Sequence, residues 1–166
     1  PNAPATPRFY ASVSPARYAI FALRLPLQAD SQWDVDLAID ADRDCWTQIV
    51  LHADTRGGRS AKLTFRDGPT ADLGNAVWQI QAARSDSEWT MEIAIELSQV
   101  SARRPAPGAA ELWNFQVRAT AQDAKGRRTH YYLAPQADGE LLPERYALLK
   151  IPAIDTAKQQ AAGSRE

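Results

Sequence analysis

Apolar and polar residues alternate with a period of two along three stretches, Trp33 to Asp40, Trp89 to Leu97 and Leu112 to Thr120, and each stretch ends in turn chemistry. In the second, Trp89, Met91, Ile93, Ile95 and Leu97 fall on one face and Thr90, Glu92, Ala94 and Glu96 on the other. That is the pattern of a half-buried strand. In the third, Trp113, Phe115 and Val117 point one way and Asn114, Gln116, Arg118 and Thr120 the other, so a second sheet surface carries a polar row.

Further strands are predicted at Phe9 to Ser14, Tyr18 to Leu25, Trp46 to Ala53, Ala61 to Phe65, Ala76 to Ala83, Arg128 to Leu133 and Leu148 to Ile151. Pro15 and Pro26, Thr55 to Arg59, Asp67 to Thr70, Arg84 to Glu88 and Asp123 to Gly126 supply the breaks between them. Asp72 to Asn75 reads as a connection. Ser98 to Val100 reads as a short helical turn capped by Ser98, with a loop at Pro105 to Gly108 just beyond.

Short strands with frequent turns and no interleaved helices predict an all-β fold, an antiparallel two-sheet β-sandwich. Trp89, Met91, Ile93, Trp113, Phe115 and Val117 are expected between its sheets. Residues 1–8 read as a linker or irregular arm, 9–154 as the sandwich, and 155–166 as a polar, Ala-rich tail.

A chain of 166 residues is the size of one domain and can bury a core without staples. Its net charge of -1 argues against nucleic acid as a partner, because phosphate neutralisation needs a basic surface. Cys45 is the only cysteine, which excludes an intrachain disulfide and a thiolate metal cluster. No apolar run approaches the roughly 20 residues needed to span a bilayer. Beginning at Pro1 without a signal-peptide pattern, the chain reads as a piece of a longer one.

An aromatic face and planar polar groups together suit a ring-shaped polar ligand, the face stacking on the ring and the polar groups bonding its hydroxyls. Trp89 and Trp113 read as core, whereas Trp46, beside an acidic turn, and Trp78, beside Gln79 and Gln81, are the candidate platforms. The plainer reading packs both beneath loops. Glu92, Gln116 and Arg118 alternate away from the apolar faces and form a candidate hydrogen-bonding floor, with Asn114 and Gln48 beside them. The plainer reading of these is a solvated sheet with Glu92 and Arg118 paired across neighbouring strands.

Asp40, Asp42 and Asp44 alternate as in an oxygen-rich calcium loop, although Cys45 stands where an EF-hand requires Gly and Leu51 where it requires Glu. A turn solvated by its own carboxylates is the alternative. No nucleophile context surrounds Ser98 or Ser101, and Gly57-Gly58 lacks the Lys and hydroxyl of a phosphate loop. The chain therefore does not read as an enzyme.

The segments Val35 to Asp42, Ser87 to Ile95, Leu112 to Arg118 and Pro143 to Leu149 resemble, in that order, segments of the family 9 carbohydrate-binding-module-like domains, relatives of the DOMON superfamily. Trp-Thr-Met-Glu-Ile-Ala-Ile followed by Trp-Asn-Phe-Gln-Val-Arg is the most specific part. The chain departs from the family in lacking an opening Asp-Gly and Trp signature and in having Glu96 where a Pro often ends the strand. The resemblance implies a noncatalytic module that binds an oligosaccharide or polysaccharide, attached to other domains of a larger secreted or periplasmic carbohydrate-processing protein. It also implies calcium, which some family members carry as a structural ion. Two rivals remain: a structural or protein-interaction sandwich without a ligand, and a heme-binding electron-transfer domain of the DOMON type, in which Met91 would pair with His52 or His130.

Overall fold

The computed structural model describes residues 6–14, 17–27, 32–66, 68–74, 78–100, 110–136 and 140–152. The first five residues of the expected arm, the 105–108 loop and the 155–166 tail lie outside the described residues. The strands are β1 (Arg8–Ser14), β2 (Tyr18–Pro26), β3 (Gln32–Asp40), β4 (Thr47–Asp54), β5 (Arg59–Phe65), β6 (Thr70–Asp72), β7 (Trp78–Arg84), β8 (Glu88–Glu96), β9 (Glu111–Gln122), β10 (Arg128–Tyr132) and β11 (Ala147–Ile151). They form a four-stranded sheet in the order β1-β2-β8-β7 and a seven-stranded sheet in the order β10-β9-β3-β4-β5-β6, with β11 also on β9. Neighbours run antiparallel throughout.

Alternation decides which side chains meet between the sheets. Phe21, Leu23 and Leu25 of β2 and Trp89, Met91, Ile93 and Ile95 of β8 face Val35, Leu37 and Ile39 of β3 and Trp113, Phe115 and Val117 of β9. All are buried, and the Phe21 and Phe115 rings touch across the layers with centroids 5.4 Å apart. Full burial of each such side chain contributes about 1.5–3 kcal/mol. The two indoles at the ends of the core still have partners, since Trp33 Nε1 donates to the Pro26 carbonyl (2.9 Å) and Trp113 Nε1 to Glu111 (3.0 Å). The sandwich and its six expected core residues are as the alternation predicts.

Three local expectations change. A short β6 forms where a connection was expected, pairing Asp72 with Lys62. Ser98 lies inside the turn Leu97–Val100 rather than capping it, and its hydroxyl donates to Glu96 (2.6 Å). Most consequentially, β8 and β9 are not neighbours: β8 lies between β2 and β7, and β9 between β3 and the pair β10 and β11. Glu92 and Arg118 therefore point away from opposite sides of the sandwich and cannot pair.

β10 and β11 share one edge of β9 in tandem, β10 against residues 118–122 and β11 against 111–115. The described residues between them, 133–136 and 140–146, lie across the outer face of the seven-stranded sheet. Their contacts mark the path: Ala134 bonds Gln116, Glu144 reaches Arg66 beyond β5 (2.8 Å), and Tyr146 Oη donates to Gln48 on β4 (2.6 Å). Under this roof Ala38 is wholly buried although its alternation turns it outward.

Candidate functional site

The acidic turn after β3 sets the position of Trp46. Asp40 is fully buried, and its carboxylate accepts the N–H groups of Arg43 (2.8 Å) and Cys45 (3.2 Å) and the Asn114 amide (3.4 Å). Asp44 Oδ1 accepts the N–H groups of Trp46 (2.7 Å) and Thr47 (3.1 Å). These bonds hold Arg43 and Cys45 at φ near +60°, a region where side chains are strained, and turn the chain so that Trp46 leaves the core. Trp33, Trp78, Trp89 and Trp113 are each no more than 6% exposed, whereas Trp46 is 60% exposed.

Trp46 stands at a cleft of about 190 Å³ between the sheet and its roof. Gln48, Thr64 and Arg66 line the sheet side, and Leu142, Pro143 and Glu144 the roof side. An indole face, an amide, a hydroxyl and an Arg–Glu pair thus converge on one small concavity. Such a set can stack on a ring and bond several hydroxyls at once. The Tyr146 hydroxyl that bonds Gln48 is held protonated to unusually high pH, chiefly by burial, and so remains a donor.

Of the residues expected to form one site, the fold brings Trp46 and the adjunct Gln48 to this cleft. Trp78 points inward from β7 and packs in the core, so it offers no platform. Gln116 is fully buried, with Nε2 donating to the Ala134 carbonyl (2.8 Å) and Oε1 accepting the N–H groups of Ala134 and Val117 (both 3.0 Å). It closes the gap between β10 and β11 and presents nothing to a ligand. Arg118 donates through Nη2 (2.7 Å) and Nε (3.0 Å) to Asp36 Oδ2. Glu92 lies on the far side of the molecule, in a broader depression of about 360 Å³ with Tyr10, Arg24, Gln81 and Thr90. That depression is larger but shallower in chemistry: Ala22, Ala82 and Ala83 contribute to its lining, and it has no indole.

Asp36 is the group that sequence reasoning missed on the open half of the seven-stranded face. Burial alone would raise its pKa, but hydrogen bonds from His52 and Arg118, with their charges, outweigh this and hold the carboxyl below its usual range. His52 is raised in turn, first by its hydrogen bond to Asp36 and against the opposing effect of burial. Arg66 and Glu144 were equally invisible, being 78 residues apart in sequence.

Asp40, Asp42 and Asp44 each offer an oxygen within 4.8 Å of the others, a donor set that suits a hard cation. Burial, with a contribution from Asp42, raises the Asp40 carboxyl despite the N–H groups it accepts. The turn is already closed by those N–H groups, so calcium would reinforce it rather than build it. Heme coordination by Met91 and a histidine fails geometrically: Met91 is buried between the sheets, whereas His52 and His130 lie on the outer face, bonded to Asp36 and Thr120. No helix among the described residues is long and apolar enough to cross a membrane.

No family model matches the sequence, and no curated protein matches it. Solved structures do share the fold. A carbohydrate-binding module of family 9 from Caldicellulosiruptor kristjanssonii, in complex with glucose, superposes with a TM-score of 0.60 at 11% identity, over 92% of this chain and 80% of that one. The same source's module in complex with cellotriose gives 0.60 and 11%, over 92% and 78%. A Bacteroides uniformis ATCC 8492 protein, provisionally described as carbohydrate-binding, gives a TM-score of 0.64 at 7% identity, over 81% of this chain and 73% of that one. At these identities the likeness is one of fold: the chain has the sandwich architecture of family 9 carbohydrate-binding modules.

Proposed function

We propose that this protein is a noncatalytic carbohydrate-binding module that takes an oligosaccharide, or part of a polysaccharide, in the Trp46 cleft. The observation that carries the reading is the exposure of a single indole at a concavity lined by Gln48, Thr64, Arg66 and Glu144, on a fold shared with modules solved in complex with glucose and cellotriose. Stacking on Trp46 supplies apolar contact, and the planar polar groups supply directional bonds to hydroxyls. Modest affinity suffices for a module whose role is to hold an attached enzyme near its substrate. The wider reading, a domain of a larger secreted or periplasmic protein with a calcium ion on the Asp40, Asp42 and Asp44 turn, rests on the family resemblance and on the clustering of those carboxylates.

Isothermal titration across a panel that includes glucose, cellotriose and other oligosaccharides tests this. At least one sugar should give saturable heat, and Trp46→Ala should reduce its affinity by tenfold or more, which corresponds to about 1.4 kcal/mol or more, while leaving the melting temperature unchanged. Wild-type protein without heat across the panel would leave the structural or protein-interaction domain as the reading.

A further inference from the structure

On the open half of the seven-stranded face, Asp34 lies opposite Asp54 and Asp36 opposite His52 across the β3–β4 pair. Trp33, Val35, Leu51 and Ala53 are buried in the core, so alternation turns these four polar side chains outward as a block of two by two. One oxygen from Asp34, one from Asp54 and one ring nitrogen from His52 lie within 4.8 Å of one another, all on half-buried residues. Imidazole with two carboxylates suits a borderline divalent cation.

Charge balance points to the same ligand. Asp36 is matched by Arg118 through two bonds and by His52 at 2.9 Å. Asp34 and Asp54 share only Arg56 among the salt bridges of the described residues, at 3.6 and 3.3 Å, and that arginine side chain is 63% exposed. Asp54 Oδ1 is taken by the N–H groups of Arg56 (2.7 Å) and Gly58 (2.9 Å), so Asp54 Oδ2 and the Asp34 carboxylate face one loosely held guanidinium and leave negative charge that a divalent ion would cancel. An ionised carboxylate can only accept, so Asp36 takes a proton from His52 Nδ1, and the tautomer of His52 that keeps this bond with Nε2 deprotonated has the Nε2 lone pair for a metal. A carboxylate behind a histidine is the usual support for a zinc ligand.

We propose that Asp34, His52 and Asp54 bind a divalent cation of the zinc type, with Asp36 as the positioning residue for His52 and Arg56 as the internal cation that the metal displaces. The site is distinct from the Trp46 cleft and from the Asp40, Asp42 and Asp44 turn, and it does not depend on sugar binding.

The test is calorimetric titration of chelator-stripped, dialysed protein with zinc chloride in the presence of calcium, paired with melting curves. One equivalent should bind saturably and raise the melting temperature. His52→Gln and Asp34→Asn should abolish binding, and Asp36→Asn should weaken it by about tenfold or more. Arg56→Ala should tighten it, because the competing guanidinium is gone. Asp42→Asn and Trp46→Ala should leave zinc affinity unchanged. Cobalt(II) in place of zinc gives a visible spectrum whose ligand-dependent bands should disappear in His52→Gln while the circular dichroism stays native. Wild-type protein without saturable zinc heat, or a His52→Gln variant that binds as wild type does, overturns the site. An Arg56→Ala variant that binds no more tightly than wild type overturns the displacement.

Discussion

Replacing Gln116 by Ala removes a side chain that stands in for backbone at a break in the sheet edge. β10 ends at Tyr132, opposite Arg118, and β11 begins at Ala147, opposite Phe115, so on that edge of β9 no strand stands opposite Gln116 and Val117, and the one backbone bond there among the described residues runs from the Leu133 N–H to the Val117 carbonyl (3.0 Å). The Gln116 amide fills that gap with three bonds of 2.8–3.0 Å to Ala134 and Val117, from a fully buried position. At about 0.5–1.5 kcal/mol each, their loss amounts to roughly 1.5–4.5 kcal/mol, and because the partner groups are left unpaired under the roof the cost lies in the upper part of that range, about 3–4 kcal/mol. In a domain of this length that lowers the melting point by roughly 10 °C. Urea unfolding followed by tryptophan emission measures it, with an unchanged denaturant slope confirming that the native and unfolded ensembles are otherwise comparable. Gln116→Glu should also destabilise, because it sets a carboxylate oxygen against the Ala134 carbonyl. A cost below about 1 kcal/mol, together with loss of sugar binding, would refute the reasoning and make Gln116 a ligand contact.

Trp113→Ala should cost about 3–5 kcal/mol in the same unfolding assay, since the indole is fully buried between the sheets; an unchanged midpoint would contradict the packing. Trp78→Ala should also cost about 3 kcal/mol or more, yet leave sugar affinity unchanged under conditions where the variant is folded; weakened binding by that folded variant would return Trp78 to the site. Calcium added to chelator-stripped protein should raise the melting temperature through Asp40, Asp42 and Asp44, and Asp42→Asn should remove the rise; a flat response in wild type would take calcium away from the turn.

The fold was legible because alternation reports burial directly. Trp89, Met91, Ile93 and Ile95 could share a face only in a strand, and they do. Periodicity says which side of a strand is buried but nothing about which strand lies alongside it, so Glu92 and Arg118 could be assigned to polar faces without revealing that the faces are on opposite sides of the molecule. Gln116 was misread for a related reason: its alternation is outward as expected, but a segment 18 residues later covers it. For Trp78 a usable signal existed, since Ile80 two residues on shares its face, but the intervening Gln79 and Gln81 drew attention to the wrong side of β7. The exposure of Trp46 follows from its place at the end of a run of carboxylates, which bend the chain to receive N–H donors. Its cleft partners Arg66 and Glu144 come together only through the roof, a tertiary contact that no local pattern encodes.

Tryptophan emission during an oligosaccharide titration tests the central claim most directly, because Trp46 is the one exposed indole among the five. Stacking of a sugar on that ring removes water from it and should shift wild-type emission to the blue, saturating with the same midpoint as the calorimetric heat. In Trp46→Phe, which keeps an aromatic face, the spectral shift should vanish while weaker heat of binding persists. Saturable heat without any emission change in wild type, or an emission shift that survives in Trp46→Phe, would contradict binding at this cleft.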